Sequence, residues 1–444
     1  MSEMTRENNE GFKKFSSNDS SKIIEKTCKL FSRSFQPPYP LIVKKIDEGV
    51  VTDPNENTYL DFTSGGGSLL LGGSHPRISE AISRLIEDGR FFTFQKSYSE
   101  EFIEFAERLL GISPIRDEGR ILMLDSRSEA VESAIRIARL NTGRRIIVGF
   151  TGSYHGLTLG AQSISTDIAT KWRRFEEASG FVRVPYPECS RCLLKHGRSR
   201  CEVDCLGYLE DMLSQGILEN AGAIIMQPLR SDGVSPPEEY LKDLKKFCKQ
   251  NKILLIIDES ISAPARTGRW FILDYYDVDA DIVILGSQIS QGQPLGLLVA
   301  RSRLLDLEPK YIDPEIGGNI LTITMASTVL EILKDEGLIE RAERIGRNIK
   351  KKIEEIAEEL EFITKVNGKG MYVGFEFVDK YRSSRALAKE FINECFRSGL
   401  LLRLERESII VLSPPLNMRE ELLERGLEIL EAKLDELYKA REKL

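Results

Sequence analysis

Apolar residues follow two rhythms along this chain. From 61 to 330, short unbroken apolar runs alternate with helical patterns, and the runs cover 146–150, 223–226, 253–257, 282–285 and 295–300. Strands that read as continuous β-branched runs are buried on both faces. Their alternation with helices predicts an α/β large domain on a mostly parallel sheet. Beyond 330 the texture changes. Ile345, Ile349, Ile353, Ile356 and Leu360 mark one face of a charged helix. Asn417 with Glu420 offers a capping-box-like start to a last helix carrying Leu423, Leu427, Leu430, Leu434 and Leu437. Strand-like segments at 371–377 and 408–412 lie between, so 331–444 reads as a smaller α+β domain. Residues 1–20 are polar and aperiodic and read as a disordered tail. A short helix is expected over 21–35, ended by Pro37, Pro38 and Pro40, and the segment 21–60 is expected to join the small domain.

Composition narrows the function classes. The chain has 444 residues, with 62 basic against 69 acidic side chains and a net charge of −7. That balance, without a basic run, argues against a nucleic-acid partner. No apolar stretch approaches a membrane span, and no signal-peptide core stands near the N-terminus. The reading is a cytoplasmic globular protein.

Chemistry gathers where the apolar runs end. Asp258 follows the run 253–257, at the edge where open α/β sheets bind ligands. It either faces a ligand there, or caps the next turn and pairs structurally. A serine, Ser287, follows the run 282–285.

Several motifs stand in one order along the chain. They are Tyr59 to Gly67, then Gly72 to Pro76, Ser126-Arg127-Ser128-Glu129-Ala130, Tyr154-His155-Gly156, Gly233 to Pro237, Arg266-Thr267-Gly268, Gly317-Gly318-Asn319, Gly368 to Gly370, and Ser413-Pro414-Pro415-Leu416. Together they resemble the class III aminotransferases of fold type I, the acetylornithine and 4-aminobutyrate aminotransferase-like enzymes that use pyridoxal phosphate. The resemblance implies a fold-type-I PLP-transferase architecture, a large domain with a mostly parallel sheet plus a smaller α+β domain, and a dimer with its sites at the interface. It implies that Asp258 pairs with the cofactor's ring nitrogen, that the aromatic of Tyr154-His155 stacks on the ring, and that Ser126 and Ser128 lie at the phosphate turn.

The resemblance breaks at the positions that touch cofactor and substrate. Ser287 stands where the family has its Schiff-base lysine, and a hydroxyl cannot form an imine. Arg127 replaces the glycine of the phosphate turn, where it either binds an anion or fills the phosphate pocket. Glu315 replaces a threonine that reaches a phosphate across the interface, and a carboxylate there repels a phosphate. Ile261 replaces a glutamine near the cofactor's phenolic oxygen. Val411 replaces an arginine for a substrate carboxylate, and Gln227 replaces a glutamate.

Four of the seven cysteines form one insert over 185–206, Cys189, Cys192, Cys201 and Cys205, with Lys195, His196, Arg198 and Arg200 around them. Close cysteine pairs in a cytosolic chain suit a structural zinc or an iron–sulfur cluster, with disulfides or free thiols as alternatives.

The functional expectation is a catalytically inactive homologue acting as a structural or regulatory subunit, in a homodimer or in a heterodimer with an active paralogue. One alternative is a lysine-independent enzyme that holds pyridoxal phosphate or its amine form on Asp258 and Tyr154, with His155 or a water moving protons. Another is a pocket for a different small anion, bound by Arg127. An ordinary transaminase would need its lysine elsewhere, and no lysine stands in a suitable strand context.

Overall fold

A computed structural model describes residues 18–35, 37–90, 97–115, 118–166, 178–192, 194, 201, 203–308, 310–314, 317–378 and 383–441. Strands are numbered along the chain. A first sheet joins β1 (Lys45–Asp47), β2 (Val50–Thr52), β3 (Thr58–Asp61) and β13 (Leu400–Leu401). The central sheet has seven strands in the order β4 (Gly119–Leu124), β10 (Gly296–Arg301), β9 (Ile282–Leu285), β8 (Leu254–Asp258), β7 (Ala221–Met226), β5 (Ile146–Phe150) and β6 (Phe181–Val184). A third sheet orders β11 (Ile363–Gly368), β12 (Val373–Phe377), β15 (Ile409–Leu412) and β14 (Arg403–Glu405).

In the central sheet β9, β8, β7, β5 and β6 run parallel, and β10 lies antiparallel between β9 and β4. The unbroken apolar runs follow from cover on both faces. Along β8, Leu254 and Ile256 pack into one apolar cluster with Ala130, Ala134 and Ile137 of the helix Arg127–Thr142, while Leu255 and Ile257 enter the cluster on the other face. Strand alternation then sends the Asp258 side chain to the face that this helix covers. The whole site depends on that parity.

A third apolar cluster fills the space between the smaller sheets and the long helices. Ile345, Ile349, Ile353 and Ile356 are buried on the helix Leu338–Glu359, as their spacing predicts. Leu423, Leu430, Leu434 and Leu437 are buried on the helix Glu420–Arg441. Tyr39, Val51 and Leu60 enter the same cluster, and β3 pairs with β13 at Leu60 and Leu400. The boundary expected at 330 falls inside the helix Ile320–Asp335. Among the described residues no helix is long and apolar enough to cross a membrane.

Local expectations shift in three places. The first helix spans Asn18–Leu30 and not 21–35. After it the Ser32 and Ser34 hydroxyls bond to each other at 2.9 Å and offer the backbone a turn instead of helix. Asn18 to Ser20, expected in the tail, form its first turn, and 1–17 lie outside the described residues. Asn417 does not cap the last helix, which starts at Glu420. Asn417 sits in a turn after Pro414 and Pro415, and its buried Oδ1 meets no partner among the described residues.

Arg266 ties the central sheet's loops to the C-terminal segments. It is 1% exposed and donates to the carbonyls of Pro414 and of Met371 (3.3 Å) and to Ser64 Oγ (3.0 Å). Arg266→Met strands these acceptors in a dry interior, so the expected cost is about 3 kcal/mol of unfolding free energy. Urea unfolding checks this, and a loss under about 1 kcal/mol would contradict the bracing role.

Candidate functional site

The direction of the strands assembles the site. Because β10 opposes both β4 and β9, the carboxyl ends of β4, β5, β7, β8 and β9 share one edge of the sheet. Arg127 follows β4, Tyr154 and His155 follow β5, and Gln227 follows β7. Asp258 ends β8, and Ser287 follows β9. Open α/β sheets bind ligands at this edge.

Asp258 is the centre. It is fully buried, and four donors converge on it. Oδ2 accepts from Arg127 Nη2 at 2.8 Å and from His155 Nδ1 at 2.7 Å. Oδ1 accepts from the Ser260 backbone N–H at 3.1 Å and from Ser260 Oγ at 2.5 Å. Burial alone would raise the carboxyl, but the Arg127 guanidinium, followed by the His155 ring, overcomes it and holds Asp258 well below the usual carboxylate range. Arg127 also donates to the Tyr154 carbonyl, and its guanidinium lies over the Tyr154 ring at 5.3 Å.

The turn that launches Arg127 is a well-formed helix start. Ser126 Oγ accepts from the Glu129 N–H at 3.2 Å, and Glu129 reaches back to the Asp125 N–H at 2.7 Å. Ser128 Oγ accepts from the Leu157 N–H at 3.0 Å, so the Tyr154–Leu157 loop is latched onto this helix. Gly156, at φ +137°, passes so near that a Cβ would lie 2.4 Å from Ser128 Oγ. The Arg127 side chain crosses from the helix start to Asp258, because a buried carboxylate demands a cation.

The remaining predicted residues divide. Ser287 opens a short 3-10 turn (Ser287–Ser290), half-buried, and its carbonyl accepts from Gly292 N and Ser290 Oγ. Ile261 is half-buried against the apolar cluster. Gln227 is buried and its Oε1 faces the Tyr154 N–H at 3.5 Å. Val411 lies fully buried in β15, opposite Gly374 and Arg403. Glu315 lies outside the described residues. Nearby arginines already face carboxylates: Arg230 faces Asp232 (2.5 Å) and Glu188 (2.8 Å), Arg406 faces Asp232 (3.1 Å), and Arg403 faces Glu405. Sequence reasoning missed Ser260 and the Arg127–Asp258 pair. No local signal pairs the two, since 131 positions separate Arg127 from Asp258.

The insert follows β6. Cys189 begins the 3-10 turn Cys189–Arg191, and Cys205 lies in the turn Asp204–Leu206, packed against the large apolar cluster. Burial, then the nearby Cys201, Cys189 and Cys192 thiols, push the Cys205 thiol up to about 12. Among the described residues no group of three or more His, Cys, Asp or Glu side chains is arranged to hold a metal. None of the seven cysteines is in a disulfide. Lys195, His196, Arg198 and Arg200 lie outside the described residues. A cleft of about 510 Å³, lined by Arg77, Arg90, Arg108, Glu101 and Glu331, is crossed by ion pairs.

Comparisons with known proteins agree on the fold. Residues 31–434 match the family model "Aminotransferase class-III". The chain is 30% identical over 427 residues to a leucine/methionine racemase of Thermococcus litoralis, covering 94% of this chain and 96% of that protein. It is 30% identical over 423 residues to an alanine/serine racemase of Pyrococcus horikoshii, covering 92% and 89%. A crystal structure of acetylornithine aminotransferase from Elizabethkingia anophelis superposes with a TM-score of 0.78 at 26% identity, covering 95% of this chain and 100% of that one.

Because the Asp258 carboxyl is depressed in the folded chain, the stabilisation it brings is present above the unfolded value of about 3.9 and is lost as pH falls below it. Asp258→Asn is expected to cost roughly 3–5 kcal/mol at neutral pH, because Arg127 then faces no anion. Its stability should also fall less steeply below about pH 4 than the native chain's. Urea unfolding at stepped pH tests both, and parallel pH profiles would contradict the pairing.

Proposed function

The chain belongs to the class III aminotransferase family, and from that footing we propose that it has lost transamination and serves as a structural or regulatory subunit. Ser287 carries this reading. It stands beyond β9 where the resemblance places the lysine amine, and a hydroxyl supplies neither an imine nor a base of suitable strength. The other changes point the same way. The resemblance assigns a glutamate and an arginine to the positions of Gln227 and Val411. Losing both charges together leaves neither one buried and unpaired. The residues present do not fit pyridoxal phosphate: the imine partner is missing, the phosphate turn lacks its glycine, and Asp258 is already paired.

As a subunit the chain would pair with a second copy or with an active paralogue. Exposed apolar side chains at Leu30, Phe31 and Phe35, and at Leu157 and Leu159 beside the pocket loop, support a covered surface. The relatives named as racemases act on amino acids by their names, so an active partner would be expected to handle amino acids. A second reading, a pocket for a small anion, is favoured by buried polar atoms with no partner among the described residues: Arg127 Nε, His155 Nε2 and Gln227 Nε2. The insert takes a structural part in either reading, since Glu188 and Arg191 bind Arg230 and Glu376. Its cysteine spacing supports zinc or an iron–sulfur cluster as the stiffening element.

Pyridoxal phosphate added to the native chain is expected to give no visible band that borohydride alters, and no rise in Tm. Ser287→Lys alone should not transaminate. A borohydride-sensitive band in the native chain would contradict the inactive reading, and measurable turnover by S287K would show that the phosphate cup still works. A Tm rise with inorganic phosphate alone would favour the anion pocket. Metal analysis of the purified protein is expected to give about one zinc, or one iron–sulfur cluster, per chain. A metal-free chain whose stability is unchanged by a chelator would leave the insert held by its ion pairs alone.

A further inference from the structure

The Arg127 guanidinium makes both contacts that the resemblance reserves for the cofactor ring: a charged hydrogen bond to Asp258 at 2.8 Å and a stack over Tyr154 at 5.3 Å. We propose that Arg127 is a built-in substitute for the cofactor's pyridinium ring, which completes the pocket from within and closes it to pyridoxal phosphate. This rests on the inactive reading and deepens it.

The chemistry of the two groups is alike. A guanidinium is a planar delocalised cation with N–H donors in its plane, and it stacks on aromatic faces. A protonated pyridine nitrogen also offers a flat cation with an in-plane N–H. Either can answer a buried carboxylate, but not both at once. A carboxylate has about four lone-pair directions, and at Asp258 four donors already use them: Arg127 Nη2, His155 Nδ1, Ser260 N and Ser260 Oγ. His155 is fully buried and Ser260 is the chain's own next turn, whereas the Arg127 side chain keeps 21% exposure. Arg127 is therefore the donor that would have to leave for a ring to enter.

The place of Arg127 in the chain makes the block effective. It is the first residue of the helix Arg127–Thr142, so its side chain starts at the phosphate turn and ends at the ring's carboxylate. One residue thus runs from the helix start to the carboxylate. The charge of Asp258, inherited with the fold, is kept satisfied without a cofactor.

The test compares the native chain with R127G and R127M/D258N, by thermal unfolding and by absorbance, with and without pyridoxal phosphate or its amine form. Without ligand, R127G should unfold roughly 5 °C or more below the native chain. It should regain stability on saturable binding of either ligand, which the native chain does not bind. R127M/D258N carries neither charge, so it should fold with a Tm nearer the native value and ignore both ligands. Should R127G be recovered only when expressed with excess pyridoxal phosphate, the inference stands. An unchanged Tm in R127G, no response of R127G to either ligand, or binding by R127M/D258N would each overturn it. Failure to recover R127G in any condition while R127M/D258N folds would overturn it as well. Saturable non-covalent binding by the native chain would also overturn it. A borohydride-fixed adduct in the native chain would instead overturn the inactive reading beneath it.

Discussion

A fully buried carboxylate at the end of a central strand has to have its charge answered, and here the Arg127 guanidinium answers it. The constraint begins with parity along β8, which turns Asp258 toward the helix Arg127–Thr142. The dry environment makes the uncompensated anion costly, so a cation must reach it. His155 and Ser260 fill the remaining acceptor directions, and the loop carrying Tyr154 and His155 is latched to the same helix through Ser128. Strand edge, helix start and loop are held together around one charge.

On this account the pocket was changed as a set. A chain that gives up a cofactor keeps the carboxylate that served it, and something must replace the lost cation. In the proposed reading Arg127 supplies that replacement from within the chain. At the substrate end the neutral pair of Gln227 and Val411 leaves no charge to bury, and Arg230, Arg403 and Arg406 each already face a carboxylate.

Much of the architecture was legible from pattern alone. The runs 146–150 and 282–285 are strands at those bounds, and 253–257 is displaced by one residue so that β8 includes Asp258 itself. Unbroken β-branched runs signal two-sided burial, which few other structures produce. The isoleucine stripe on the helix Leu338–Glu359 was equally plain. Helix ends were harder to read: Asn417 had the right spacing for a cap, yet the consecutive prolines before it set a turn instead. Asp258 could be named because it ends a strand, and the other site residues through the resemblance of their motifs. Their partnership could not, because Arg127 and Asp258 stand 131 positions apart and an arginine side chain has several directions open to it.

A crystal structure of the native chain grown in excess pyridoxal phosphate tests the central claim most directly. The account predicts the Arg127 guanidinium on Asp258 and over Tyr154, with no ring density between them. Ring density on Asp258, with Arg127 swung away, would contradict it.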